Sequence, residues 1–127
     1  MKRAVLAVVA AAALSGPTVQ AHHSYAEFLD QPITFGATVE RIEFTSPHTL
    51  LTVRGKDDRV HTIIWNAAFQ LQTQGVHPTD LKVGDALELT GFPSRDPEIR
   101  QMAKMRKIRR TSDGWTWEFP NRVTPGR

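Results

Sequence analysis

The segment from Ile33 to Phe44 constrains the fold more than any other part of the chain. Its apolar residues occupy alternate positions up to Val39 and then change parity, continuing at Ile42 and Phe44. Successive side chains of a strand point to opposite faces, so this change within one strand predicts a bulge or bend near Arg41. Long, bent first strands are typical of small closed barrels, in which one strand pairs with both halves of the sheet.

The rest of the chain predicts further strands around a single helix. Asn66 can cap a helix over 67–74, Gly75 can end it, and the parity change at Ile108 predicts a bulge in the fifth strand. The predicted strands are 33–44, 49–54, 60–65, 86–92, 99–110 and 115–119. This order predicts a mainly β fold, a small OB-like barrel of five to six strands with one helix between strands 3 and 4. A plain β-sandwich is the alternative, and the single helix argues against it.

The first 21 residues have the pattern of a signal peptide. Lys2 and Arg3 supply positive charge, residues 4–14 form an unbroken apolar run, and Val19-Gln20-Ala21 has the form of a cleavage site. The apolar run is too short to span a bilayer, and no later stretch is long and apolar enough to do so. We therefore expect cleavage after Ala21 and a periplasmic or secreted protein without a transmembrane segment. The predicted organisation is a signal peptide over 1–21, an OB-like barrel domain over 22–119 and a flexible tail over 120–127.

Charge and cysteine content narrow the ligand classes. The chain has 16 Lys and Arg against 13 Asp and Glu, and removal of Lys2 and Arg3 would leave 14 against 13, a net charge near +1. This balance disfavours general binding of polyanions, nucleic acid included. The sequence has no cysteine, so we expect neither disulfides nor a cysteine-linked lipid anchor.

Five short motifs are spread over nearly all of the chain that would remain after cleavage. They are His22-His23-Ser24, Gly36 with Val39 and Ile42, Ser46-Pro47-His48, the run from Leu81 to Asp85, and Thr90-Gly91. This set resembles a family of small exported bacterial proteins of unknown function, whose members typically have a His-His-Ser start and an Asn-Pro-His turn. The resemblance implies export and a small β fold, and it implies no mechanism. The Trp115-Thr116-Trp117 stretch has no counterpart in the family pattern.

The histidines give the sharpest functional hypothesis, a copper site. Cleavage after Ala21 would leave His22 with a free α-amine, and this amine together with the ring Nδ1 could chelate a metal ion. Nitrogen ligands without thiolate favour Cu(II) over zinc or nickel. His48, which follows a turn, is the predicted partner ligand, and His23 is an alternative. The competing interpretation is that these histidines are merely solvated or cap the barrel by hydrogen bonds. His61, on a mixed face of the third strand, is interpreted as a structural histidine.

A second candidate surface combines basic and aromatic side chains. Arg100, Lys104 and Arg106 precede Trp115 and Trp117, and positive charge beside aromatic rings can bind an anionic glycan or a protein partner. An exported protein meets little nucleic acid, which disfavours that ligand. The alternative is that strand alternation places these charges on a solvated face, where they protect the sheet from edge aggregation.

No pattern in the sequence predicts catalysis by a nucleophile. Ser24 beside His23 lacks a third group to orient the pair, and no carboxylate pair stands out. We therefore expect an exported binding module with a copper site at its mature N-terminus. The alternative is a metal-free barrel that binds a small ligand or a periplasmic partner, and an oxidative copper enzyme is the least supported class.

Overall fold

The computed structural model describes residues 27–127, which form a closed five-stranded barrel with two additional strands and one short helix. The elements are β1 (Ile33–Glu43), β2 (Leu50–Gly55), β3 (Val60–Ile64), α1 (Ala68–Thr73), β4 (Ala86–Pro93), β5 (Gln101–Arg110), β6 (Thr116–Glu118) and β7 (Arg122–Thr124). The predicted signal peptide and its cleavage site lie outside the described residues. Within residues 27–127, no helix is long and apolar enough to cross a membrane.

The barrel closes because β1 pairs with two strands and β3 meets β5. β1 runs antiparallel to β2 on one side and to β4 on the other. β2 continues to β3, β4 continues to β5, and a short parallel pairing of β3 with β5 completes the circuit at Thr62–Gln101 and Ile63–Met102. The predicted mainly β fold, with its single helix between the third and fourth strands, is confirmed.

Two irregularities bend the strands of the barrel, and both predictions of a bulge are confirmed. The pairing of β1 with β2 shifts register between Val39 and Arg41, which changes the parity of the inward residues at the expected place. In the second irregularity, Thr90 lies opposite Lys107 while Phe92 lies opposite Ala103, so two steps along β4 correspond to four along β5. The extra residues allow β5 to bend where it passes from β3 to β6.

The short helix α1 lies at the end of the barrel where β1 and β3 finish. Its first amide, that of Ala68, donates to the main-chain oxygen of Thr45, and Leu71 is fully buried in the core. The predicted cap at Asn66 is wrong, because the helix starts one residue later and Ala67 occupies the N-cap position. Gly75 ends the helix with a φ of +91°, as predicted.

Two tryptophans connect this end of the barrel to the C-terminal strands. The rings of Trp65 and Trp117 meet edge to face with centroids 5.3 Å apart. The indole N–H of Trp117 donates to Oε1 of Gln74 at 2.9 Å, immediately after the end of α1. This contact ties β6 to the helix, so the end of the barrel at α1 is filled by packed side chains.

The C-terminal segment differs from the flexible tail expected over 120–127. Residues Arg122–Thr124 form β7, which pairs with β6 and places Val123 against the core. The turn between β5 and β6 is held by Arg110, whose guanidinium donates to both carboxylate oxygens of Asp113 at 2.8 Å and lowers the pKa of that carboxyl to about 2. After pairing with β5, β6 still has one edge with unpaired backbone N–H and C=O groups. β7 pairs with this edge, and its one apolar residue is Val123.

Replacement of Trp117 with alanine is expected to lower the free energy of unfolding by about 3–5 kcal/mol, because it leaves a large cavity and removes the bond to Gln74. Urea unfolding followed by circular dichroism measures the change. The control is Phe69→Ala, since Phe69 is largely exposed on α1 and its loss should cost less than about 0.5 kcal/mol. Similar losses in the two variants would contradict the packing described.

Candidate ligand-binding groove

Among residues 27–127, no side chain fills the end of the barrel opposite α1, and this end forms a groove of about 480 Å³. Its walls are the start of β1, the β2–β3 hairpin, the first residues of β3 and β5, and the β4–β5 loop. We call it the open-end groove, with an apolar lining and a charged rim. The apolar lining includes Leu29, Ile33, Phe35, Ile99 and Met102, and the polar residues include Lys56, Asp57, His61, Asp96 and Arg100.

Several large apolar side chains remain exposed around the open-end groove. Ile33 is 46%, Ile99 49% and Leu29 38% exposed. Ile33 shares the inward parity of Phe35, but it lies beyond the last filled layer of the barrel, so nothing among the described residues covers it. Clustered exposed apolar side chains with a few polar groups are typical of a binding site, whereas single exposed residues are ordinary.

One histidine lies on the inward face of β3 within this groove. The ring of His61 lies 5.2 Å from that of Phe35, measured between centroids, and its Nε2 is 3.7 Å from Oδ1 of Asp57. The same Asp57 oxygen accepts the amide of Arg59 at 3.1 Å. This hydrogen bond from the Arg59 amide, together with a smaller contribution from His61, lowers the pKa of the Asp57 carboxyl. The hairpin carboxylate therefore orients His61 against the aromatic floor.

The two cations on the rim come from different walls. Lys56 of the β2–β3 hairpin lies over Gly36, where an added Cβ would be 3.1 Å from the lysine Cε. Arg100 ends the β4–β5 loop, and its carbonyl accepts the amide of Thr62 at 2.9 Å. Among residues 27–127, neither side chain forms an ion pair, so both positive charges are available at the groove.

Of the three predicted metal ligands, the structure describes one, His48. His48 lies in the β1–β2 loop at the α1 end, whereas Glu27 lies at the open end, where its carbonyl accepts the amide of Arg95 at 2.9 Å. His22 and His23 lie outside the described residues. Within residues 27–127 no three His, Asp or Glu side chains are grouped so that they could hold a metal ion.

The predicted basic and aromatic surface is divided by the structure. Trp115 and Trp117 are 4% and 0% exposed, so the expectation that their rings face a ligand is wrong; they pack into the core. Arg106 stacks instead on Phe119, with 4.6 Å from Cζ to the ring centroid. Lys104 lies nearby, 5.7 Å from the ring of Phe92, while Arg100 belongs to the open-end groove. The alternation of Trp-Thr-Trp was the signal in the sequence for a buried face.

A comparison with protein families assigns the chain to a family. A model described as a family of unknown function, DUF6152, matches residues 7–120. The chain belongs to this family. No functionally curated protein and no solved structure matches it. Membership in DUF6152 confirms the resemblance to a family without a known activity, so the function has to be inferred from the groove itself.

Replacement of Gly55 with alanine tests the contact that orients His61. The added Cβ would lie 2.6 Å from Oδ1 of Asp57, so the carboxylate must move away from the Arg59 amide. We expect the pKa of Asp57 to rise toward its ordinary value of 3.8, measured by NMR titration of the side-chain carboxyl carbons. Gly36→Ala is the matched control, because its Cβ would meet Lys56 and not Asp57. An unchanged pKa in the Gly55 variant would contradict the hairpin geometry.

Proposed function

We propose that this protein is an exported binding module that holds a small ligand with an apolar body in the open-end groove. The observation that supports this most strongly is the exposed apolar cluster of Leu29, Ile33 and Ile99 at the end of the barrel opposite α1. The volume of about 480 Å³ is within the range of small-molecule sites, and the mouths of β-barrels are a common place for them. This is the metal-free alternative of the sequence analysis, now with a defined site.

The apolar contacts suggest moderate affinity. Full burial of an isoleucine stabilises by roughly 1.5–3 kcal/mol, so covering the half-exposed Ile33 and Ile99 contributes about 1 kcal/mol each. Phe35 and Met102 add contact area at the floor of the groove. Since association also costs translational and rotational freedom, we expect dissociation constants in the micromolar range.

Charged substitutions in the apolar lining are expected to abolish this binding. Ile33→Asp and Ile99→Asp should each weaken binding of a neutral, polarity-sensitive dye such as Nile red by at least about tenfold, because a carboxylate would have to lose water on contact. Fluorescence titration measures the affinity. Val83→Asp is the control, since Val83 is exposed but lies in the turn before β4, away from the groove.

Two results would contradict the proposed site. The first is equal dye affinity in all three variants and the unaltered protein. The second is a loss in Val83→Asp as large as that in Ile33→Asp, because the dye would then bind to a general apolar surface.

A second candidate function is binding of copper through the mature N-terminus, with His61 rather than His48 as the partner ligand. Five residue steps separate His22 from Glu27, and an extended chain of that length reaches at most about 17 Å. The 11 residues of β1 alone cover roughly 25 Å of the barrel axis after strand tilt, and His48 lies beyond its far end. His61 lies in the groove that Leu29 also lines, which favours it as the partner.

The copper proposal predicts different effects for the two histidines. In protein whose mass spectrum shows a start at His22, His61→Ala should weaken Cu(II) binding by at least about tenfold, and His48→Ala should leave it unchanged. Titration followed by EPR measures the affinity and the nitrogen ligation. One extra residue before His22 should remove the site, since the α-amine would no longer be terminal. A start at another residue, or a loss only in His48→Ala, would contradict this arrangement.

A further inference from the structure

We infer that the ligand of the open-end groove is a single-chain amphiphile with an anionic head, of the long-chain carboxylate class, and that Lys56 and Arg100 bind the head. The inference rests on the proposed function and adds the chemistry of the ligand to it. Three observations carry it: the apolar lining, the two cations on separate walls, and the way in which the acidic residues of the rim are already bonded.

The rim has equal numbers of formal positive and negative charges, but they differ in their partners. Oδ1 of Asp57 accepts the amide of Arg59 at 3.1 Å and lies 3.7 Å from Nε2 of His61. Oδ1 of Asp96 accepts the amide of Glu98 at 2.9 Å. Hairpin and loop amides therefore stabilise both carboxylates in place, and they leave less capacity for a cationic ligand.

Within residues 27–127, no carboxylate pairs with the two cations of the rim. Lys56 and Arg100 form no ion pair with any described acidic side chain, although both line the groove. Arg100 is only half-buried, and its main chain is fixed by the bond to Thr62. A guanidinium presents paired N–H donors that match a carboxylate, and an ammonium adds a second charge-assisted bond.

The apolar lining explains why the ligand needs a chain as well as a charge. Ile33, Ile99 and Leu29 form exposed apolar surface next to the cations, and Phe35 with Met102 continues it into the barrel mouth. A small hydrophilic anion would leave this surface in water. A carboxylate with an alkyl chain covers the surface and places its head at the rim, where reduced access of water strengthens the ionic contacts.

The test compares three probes with the same alkyl chain and different heads. Dodecanoate and dodecyltrimethylammonium, each below its micelle concentration, and dodecanol, below its solubility limit, are titrated into purified protein that starts at His22. Binding is read from displacement of Nile red and from calorimetry. We expect dodecanoate to bind at least about tenfold more tightly than the other two probes, because only its head forms charge-assisted bonds with the rim.

Substitutions then assign the preference to the two cations. Lys56→Met and Arg100→Met remove the positive charge and keep an unbranched apolar stem. Each should reduce dodecanoate affinity by about three- to tenfold, while Nile red and dodecanol bind as before. Lys82→Met is the matched control, because Lys82 lies in the turn before β4 and does not line the groove. A general effect of net charge would appear in this control as well.

The outcomes separate this inference from the proposed function. Equal binding of the three probes, with Nile red still sensitive to Ile33→Asp, would overturn the anionic head and leave the groove as a binding site. Failure of every probe, Nile red included, would overturn the proposed function itself. A variant that lacks residues 22–26 and binds all three probes more tightly, without regard to charge, would show that the chain's own segment occupies the groove, and this would also overturn the inference.

Discussion

The double pairing of β1 is the constraint on which the rest of the structure depends. One strand must bond β2 along one edge and β4 along the other, and it must also turn through the curvature of a narrow barrel. The register shift between Val39 and Arg41 permits this, because it keeps apolar residues inward on both sides of the bend. With β1 in place, the parallel contact of β3 and β5 needs only two residue pairs to close the circuit.

The two ends of the closed barrel differ in how they are filled. At one end, α1 and the pair of Trp65 and Trp117 fill the space between the strands. At the other end the described residues form a hairpin and a loop but no helix, so the last layer of inward side chains among them stays exposed. Within residues 27–127, the open-end groove is therefore a consequence of where α1 occurs in the chain, and its walls combine paired strands with the β4–β5 loop.

The fold could be predicted from the sequence because the patterns that indicate it lie within a few neighbouring residues. The groove could not be predicted, because it depends on where the barrel ends. The parity change before Ile42 indicates the bulge in β1, and Gly75 indicates the end of α1. Ile33 and His61 have the same alternating context as true core residues, and only the position where the barrel ends decides that they face a cavity. His48 was a candidate ligand because it follows a turn, but one strand pattern does not reveal that it lies at the α1 end of the barrel, away from the groove.

The two candidate functions share one site, and this has a thermodynamic consequence. Copper at His61 would draw the N-terminal segment across the mouth of the groove, above the ring of Phe35. An alkyl chain in the groove would occupy the same space, so each ligand would lower the affinity for the other by the same factor. The negative charge of a bound carboxylate would offset part of this competition by attracting the metal ion. Reciprocal competition is therefore a property of the shared groove, and independent binding of the two ligands would mean that copper is held elsewhere.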